Sequence, residues 1–336
     1  MSSLAHTSIP LIDFSSFIDC DNQRWVECLS SAQVQTAQDI VQAFQTHGFV
    51  YLRNFPMPPG MVPQAFQWSE KFFNLPLHIK RQALHPADAS SHRGYSPVGA
   101  EKIPQSESSI DPQKGLPPPD FKETFEIGKS DKLPKNIWLS EVIENSCGLK
   151  GFKEFFEEFF LACSKLQTQI LRAISIGLLG IENATYLEKS HQEFNNQIRL
   201  AHYPAIKNKD INERCGAHTD FGTITILFQD NVGGLEVENP LQAGHFVSVE
   251  PIEGTVVVNI ADLLMRWSND SLKSTLHRVK PPGSIHGVIP SRYSIPFFCG
   301  PDPLTVIDSL PGCPSPSKYS PVIANDYILS RIKASY

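Results

Sequence analysis

The chain has 336 residues, of which 41% are hydrophobic and 19% charged, a composition that supports a barrel-sized core and excludes disorder as the default state. With 29 basic against 35 acidic side chains the formal charge is −6, so the molecule as a whole attracts neither phosphate backbones nor anionic lipid surfaces. Neither nucleic acid nor a membrane is an expected partner. In chain order, residues 9–14 alternate in character and stop at Ser15-Ser16, which reads as a short strand. A helix is predicted over 32–46, where Val34, Ala37, Ile40, Val41 and Phe44 recur at spacings of three and four and Gly48 supplies the stop. A buried-type strand over 49–52 and a second helix over 62–73 follow.

Residues 85–135 are rich in Pro, Ser, Gly and Asp and include Leu116-Pro117-Pro118-Pro119, so little regular structure is expected there. So long a loop is read as a lid or rim over an active site, the alternative being a plain surface loop. Residues 152–179 form the strongest predicted helix, with a broad apolar face suited to packing beneath a sheet. Beyond Ile181 come short strand-like runs at 198–203, 223–228, 234–237, 246–249, 255–260, 274–279 and 293–298. Gly233-Gly234 and Pro281-Pro282-Gly283 supply turns, and the spacing suggests a sandwich or barrel. Residues 319–332 return to helix. One catalytic domain over 1–336 is therefore expected: a helix-rich region to 180, a β core over 181–305 and a C-terminal helix within 306–336.

The first residues, MSSLAHTSIPLIDF, lack a basic stretch followed by a long apolar one. Seven scattered cysteines (Cys20, Cys28, Cys147, Cys163, Cys215, Cys299, Cys313) form no C-x-x-C pair, which argues against a disulfide framework or a zinc ribbon. A cytoplasmic location is expected.

The chemistry-bearing pattern is His218-x-Asp220 with His277. In an extended segment residues i and i+2 project to one side, so His218 and Asp220 can reach one ion while Thr219 points away. His277 must arrive from a second strand. Two imidazoles and a carboxylate suit iron(II) and leave three coordination positions open, whereas a structural zinc site would more often recruit thiolate. Cys215, three residues before His218, is expected on the opposite side of the strand. Fifteen residues after His277, Arg292 and Ser294 share a strand face, where a guanidinium fork and a hydroxyl can bind one carboxylate. The alternative for Arg292 is a surface ion pair, but the apolar neighbours Tyr293, Ile295, Phe297 and Phe298 favour a buried strand that a small dicarboxylate would neutralise. Tyr203 is a candidate third donor to that acid or a core tyrosine. The remaining histidines lack partners at ligand spacing.

With these residues assembled, the chain resembles the iron(II)- and 2-oxoglutarate-dependent dioxygenases of the isopenicillin N synthase-like family. The resemblance rests on IPLIDFSSF, GFVYLRNF, HRGYSPVG, KETFEIG, RLAHYP, GAHTDFGTITILFQD, GGLEV, TVVVNIADLLMRWSND, STLHRV and SRYSIPFF, in the order the family shows. It implies a mainly β fold, a distorted double-stranded β-helix or jelly roll with helices flanking it. It also implies His218, Asp220 and His277 as iron ligands, Arg292 and Ser294 as the clamp for 2-oxoglutarate, and Tyr203 as a helper. The implied reaction is oxidation of a small organic molecule, as in secondary metabolism, with dioxygen as oxidant and 2-oxoglutarate decarboxylated to succinate. Some relatives keep the arginine and serine yet use no 2-oxoglutarate, so an oxidase on the same scaffold is the second reading; a non-catalytic jelly-roll binding module is the third.

Among subgroups, RLAHYPAI and LLMRWSNDSLKSTLHRV are similar to fungal members, including the thymine hydroxylases. Their base-binding asparagine and arginine match Asn196 and Arg199, and an aromatic stacking position matches Phe298. The tyrosine after their H-x-D motif is Phe221 here, so one polar contact is absent. A pyrimidine and an amino-acid-like molecule or secondary metabolite both fit.

Overall fold

The computed structural model describes residues 9–18, 29–86, 92–100, 120–207, 213–284 and 287–333. The N-terminal half runs β1 (Leu11–Asp13), α1 (Ser31–Thr46), β2 (Phe49–Arg53), α2 (Met61–Phe73), α3 (Leu77–Lys80), β3 (Gly94–Ser96), β4 (Glu123–Gly128), α4 (Glu141–Ser146) and α5 (Phe152–Leu179). Then come β5 (Gln197–Tyr203), β6 (Cys215–His218), β7 (Ile224–Gln229), β8 (Leu235–Glu238), β9 (Phe246–Ser248) and β10 (Thr255–Ile260). The chain continues through α6 (Asp262–Trp267), β11 (His277–Val279), β12 (Arg292–Cys299), β13 (Val306–Ile307), β14 (Val322–Ile323) and α7 (Ala324–Lys333). Among the described residues, no helix is long and apolar enough to cross a membrane.

Eight strands form one sheet in the order β1-β2-β10-β7-β12-β5-β4-β3, and four form a second in the order β6-β11-β8-β9. The period-two alternation of the central strands explains how the two sheets and the helices divide the core. On β5, β7, β10 and β12 one set of side chains, including Ile198, Leu200, Ile224, Ile226, Val256, Val258, Ile295 and Phe297, packs with the helices. The other set faces the second sheet: Ala201, Tyr203 and Val257 join Cys215, Leu235, Val237 and Val279 in a smaller inner core. The result is a jelly roll with its helices on one outer face.

Two devices fix the helical layer. A reciprocal capping box starts α1, where Ser30 Oγ accepts from the Gln33 N–H at 3.2 Å and Gln33 Oε1 accepts from the Ser30 N–H at 2.8 Å. Helix α5 lays Phe152, Phe156, Phe159 and Phe160 against the sheet, all nearly fully buried, each contributing roughly 1.5–3 kcal/mol of apolar transfer free energy.

Three expectations change. Residues 85–135 were expected to hold little regular structure, yet β3 and β4 lie within them and extend the large sheet from β5. Leu116 to Pro119, with the rest of 101–119, lies outside the described residues, as does the question of a lid there. The C-terminal helix starts at Ala324 rather than at 319, because Val322–Ile323 instead pairs with Val306–Ile307. Strand β11 begins only at His277, since Ser274 and Thr275 turn their hydroxyls to Asp262 and to the His47 carbonyl.

Candidate metal centre

The antiparallel pairing of β6 and β11 sets His277 directly opposite His218, with ring centroids 4.3 Å apart. Asp220 lies two residues beyond His218, and its Oδ1 sits 4.0 Å from His218 Nε2 and 3.7 Å from His277 Nε2. All three ligand atoms fall within 4.8 Å of one another. The sequence-predicted triad is thus assembled in space.

The partners of the other atoms fix how these three are presented. His218 Nδ1 donates to the Gly216 carbonyl at 2.8 Å and His277 Nδ1 to the Thr275 carbonyl at 3.2 Å, so each Nε2 lone pair is turned inward. Asp220 Oδ2 accepts from Thr225 Oγ1 at 2.6 Å and from Asn259 Nδ2 at 2.8 Å, which leaves Oδ1 free. Burial, followed by the neighbouring His218, pushes the His277 pKa down to about 4, so the ring is neutral at neutral pH and available as a ligand. Burial disfavours the Asp220 carboxylate, yet the adjacent imidazoles and the bonds from Thr225 and Asn259 outweigh it and hold its pKa below the ordinary value. A donor set of two imidazoles and one carboxylate, with their ligand atoms within 4.8 Å of one another, fits iron(II).

From the triad a cavity runs between the sheets, lined by Tyr203, Leu227, Leu235, Val279, Arg292 and Ser294, among others. Arg292 and Tyr203 face each other across the β5–β12 pairing, and the guanidinium lies 5.0 Å from the tyrosine ring centre. Arg292 is 1% exposed; it donates to Ser294 Oγ at 3.1 Å and Gln229 Oε1 at 3.5 Å, and its Nε has no partner. No carboxylate among the described residues neutralises it. Arg214 packs nearby, fully buried, with Nη2 donating to the carbonyls of Pro204 and Pro290 and its Nε and Nη1 unsatisfied. Burial and then repulsion from Arg292 lower its pKa to about 10, still leaving it charged at neutral pH. Such unpaired buried cations are costly, and a bound carboxylate removes that cost. This end of the cavity fits the distal carboxylate of a dicarboxylic acid.

Cys215 does not face away as expected. The register shifts between His277↔His218 and Val279↔Cys215, so the single residue Arg278 of β11 opposes two of β6, Gly216 and Ala217, and this irregularity reverses the alternation. Cys215 therefore lines the cavity, 4.0 Å from His218 Nδ1 and 3.5 Å from Lys122 Nζ. Lys122 also pairs with Asp120 at 2.5 Å, both side chains buried.

The expected substrate contacts divide. Arg199 and Phe298 line the cavity, with the guanidinium 5.5 Å from the phenyl centre and its Nε donating to Glu126 Oε1 at 2.5 Å. Asn196 does not line it: its amide donates to Gln167 of α5 at 2.6 Å and accepts from the Gly300 N–H at 3.3 Å, which makes it a tie between sheet and helix. Phe221 is also outside the lining and packs beneath Arg331, 5.1 Å from ring centre to guanidinium. Sequence reasoning missed Thr225, Asn259, Lys122 and Glu126. Asn259 was the findable one, a lone amide among the valines of TVVVNI.

Residues 194–301 match the family model described as the 2OG-Fe(II) oxygenase superfamily, and residues 9–141 match that of the non-haem dioxygenase in morphine synthesis N-terminal region. The chain is 40% identical to the proline hydroxylase buaE of Petromyces alliaceus, over 78% of this chain and 80% of that protein. It is 37% identical to the 2-oxoglutarate-dependent dioxygenase gloF of Glarea lozoyensis, over 81% and 84% of the two chains. The crystal structure of Neurospora crassa T7H in complex with alpha-KG and thymine superimposes with a TM-score of 0.83 at 39% identity, covering 98% of this chain and 97% of that one.

Proposed function

The chain belongs to the 2OG-Fe(II) oxygenase superfamily, and from that membership we propose that its cavity positions a small, acceptor-bearing organic molecule for oxidation beside His218, Asp220 and His277. It is an enzyme that uses iron(II), 2-oxoglutarate and dioxygen. When bound, iron(II) with 2-oxoglutarate supplies the oxidising power, and succinate and carbon dioxide are released.

His218 Nε2, His277 Nε2 and Asp220 Oδ1 would hold the iron. Arg292 and Ser294 bind the distal carboxylate of 2-oxoglutarate, with the Tyr203 hydroxyl as third donor; hydrogen bonds to a charged group contribute about 1.5–3 kcal/mol each. Leu227, Leu235 and Val279 exclude water from the space between the two poles. Arg199, held by Glu126 and resting on Phe298, offers a cation beside a flat apolar surface. This supports a compact substrate with a carbonyl or carboxylate next to the group to be oxidised. Thymine, present in the T7H complex, and proline, in the name of the buaE hydroxylase, both meet that description.

The carrying observation is the pairing of three inward ligand atoms at one end of a single cavity with an un-neutralised buried arginine at the other. The test is succinate formation from 2-oxoglutarate with thymine, L-proline and related compounds, comparing the wild type with His218→Ala and Arg199→Met. Substrate-stimulated succinate that His218→Ala abolishes, with Arg199→Met raising the substrate KM, is the expected result. Oxygen consumption that proceeds equally without 2-oxoglutarate would instead place the protein with the oxidases of this scaffold.

A further inference from the structure

We infer that Asp262 is a positioning residue for the metal ligands and that the C-terminal helix α7 reaches the metal centre through it. The inference rests on His218, Asp220 and His277 being the ligands. Asp262 opens α6, where three successive backbone N–H groups serve the ligand loop rather than solvent. Ala261 donates to the Thr223 carbonyl at 2.9 Å, Asp262 to that of Asp220 at 2.9 Å, and Leu263 to that of Gly222 at 3.0 Å.

The Asp262 side chain holds both ligand-bearing segments from behind. Oδ2 accepts from Thr219 Oγ1 at 3.1 Å, and Thr219 is the residue between His218 and Asp220 whose side chain leaves the metal face. Oδ1 accepts from Ser274 Oγ at 2.7 Å, three residues before His277. From α7, Tyr327 donates its hydroxyl to Oδ2 at 3.4 Å and Arg331 Nη2 lies 3.6 Å from the same oxygen. Arg331 also covers Phe221, the residue that follows Asp220. One buried carboxylate, 7% exposed, therefore joins the His-x-Asp loop, the approach to His277 and the last helix. Without it, the spacing of the two segments would depend on the short β6–β11 pairing, which is irregular at this point. Metal affinity is sensitive to such supports, with losses of about 10–100-fold on removing a group that orients a ligand.

The test is anaerobic iron(II) titration against a competing chelator, with thermal unfolding of the metal-free protein in parallel. Asp262→Asn should weaken iron(II) binding about tenfold or more. Tyr327→Phe and Arg331→Met should weaken it less, in the same direction. Leu264→Val, a buried change on α6 facing the helical core, is the control for general destabilisation and should leave iron affinity unchanged. A Thr219→Val, Asp262→Asn double variant should lose less affinity than the two single losses combined, because the two changes remove one shared bond. Iron affinity in Asp262→Asn within twofold of the wild type, alongside a lowered Tm, would reduce Asp262 to a fold stabiliser and overturn the inference. If Asp262→Asn does not fold, Thr219→Val and Ser274→Ala carry the test, and wild-type affinity in both overturns it. Iron binding that His218→Ala leaves intact would instead sink the ligand assignment, and this inference with it.

Discussion

Asp220 divides its labour between two oxygens: Oδ2 is occupied by Thr225 and Asn259 while Oδ1 faces the imidazoles. Replacing Asn259 with Leu leaves Thr225 as the remaining donor to that carboxylate, and iron(II) affinity should fall about tenfold in an anaerobic titration. An unchanged affinity would mean that Thr225 alone sets the rotamer. At the opposite pole, Arg292→Lys keeps a charge but loses the planar fork. The KM for 2-oxoglutarate should rise about tenfold or more, equivalent to roughly 1.4 kcal/mol, with kcat at saturation largely retained. The clustering of His218 and Asp220 was legible in the sequence because His-x-Asp on an extended segment needs only local parity to be read. Their supports were not: Asn259 lies 39 residues from Asp220, and Asp262 meets Thr219 across 43. Asn196 was misread for a related reason, since its position before β5 says nothing of the α5 side chain that engages it.

At the scale of elements, close approach between the loop after Asp220 and the end of β12 depends on Gly222. A Cβ there would lie 2.1 Å from the Cys299 carbonyl oxygen. Gly222→Ala should therefore displace the loop, lowering both Tm and iron affinity; a variant with wild-type values of both would refute that packing argument. The strands that carry the site were readable from alternation: 198–203, 255–260 and 293–298 each match an observed strand to within a residue or so. Strands β3 and β4 were hidden because the surrounding Pro- and Gly-rich composition masked the few strand formers, Thr124, Phe125 and Ile127, in KETFEIG. Helix α6, at six residues, is too short for helical periodicity to register. The β6–β11 irregularity cannot be read from either strand alone, and so the side of Cys215 could not be either.

For the whole molecule, two buried histidines make the fold acid-sensitive. Burial lowers the pKa of His191 and of His277 to about 4, against an ordinary value of 6.5. Each ring is neutral in the folded state, so its contribution is fully present above pH 6.5 and is lost as the pH falls from there toward 4, at up to about 1.4 kcal/mol per pH unit per ring. The Tm of the metal-free protein should drop across that window, and His191→Gln should flatten the profile. A profile of unchanged slope in that variant would remove His191 from the cause. The two-sheet architecture places the His218–Asp220–His277 cluster and the Arg292–Ser294 pair in one cavity, and the proposed function depends on their acting together. The most direct test is the visible spectrum of the anaerobic iron(II)-loaded protein before and after 2-oxoglutarate, for the wild type and Arg292→Ala. A new metal-to-ligand charge-transfer band in the wild type, weakened at the same 2-oxoglutarate concentration in the variant, is the predicted result. With iron occupancy confirmed, no band in the wild type, or an equal band in Arg292→Ala across the titration, would contradict it.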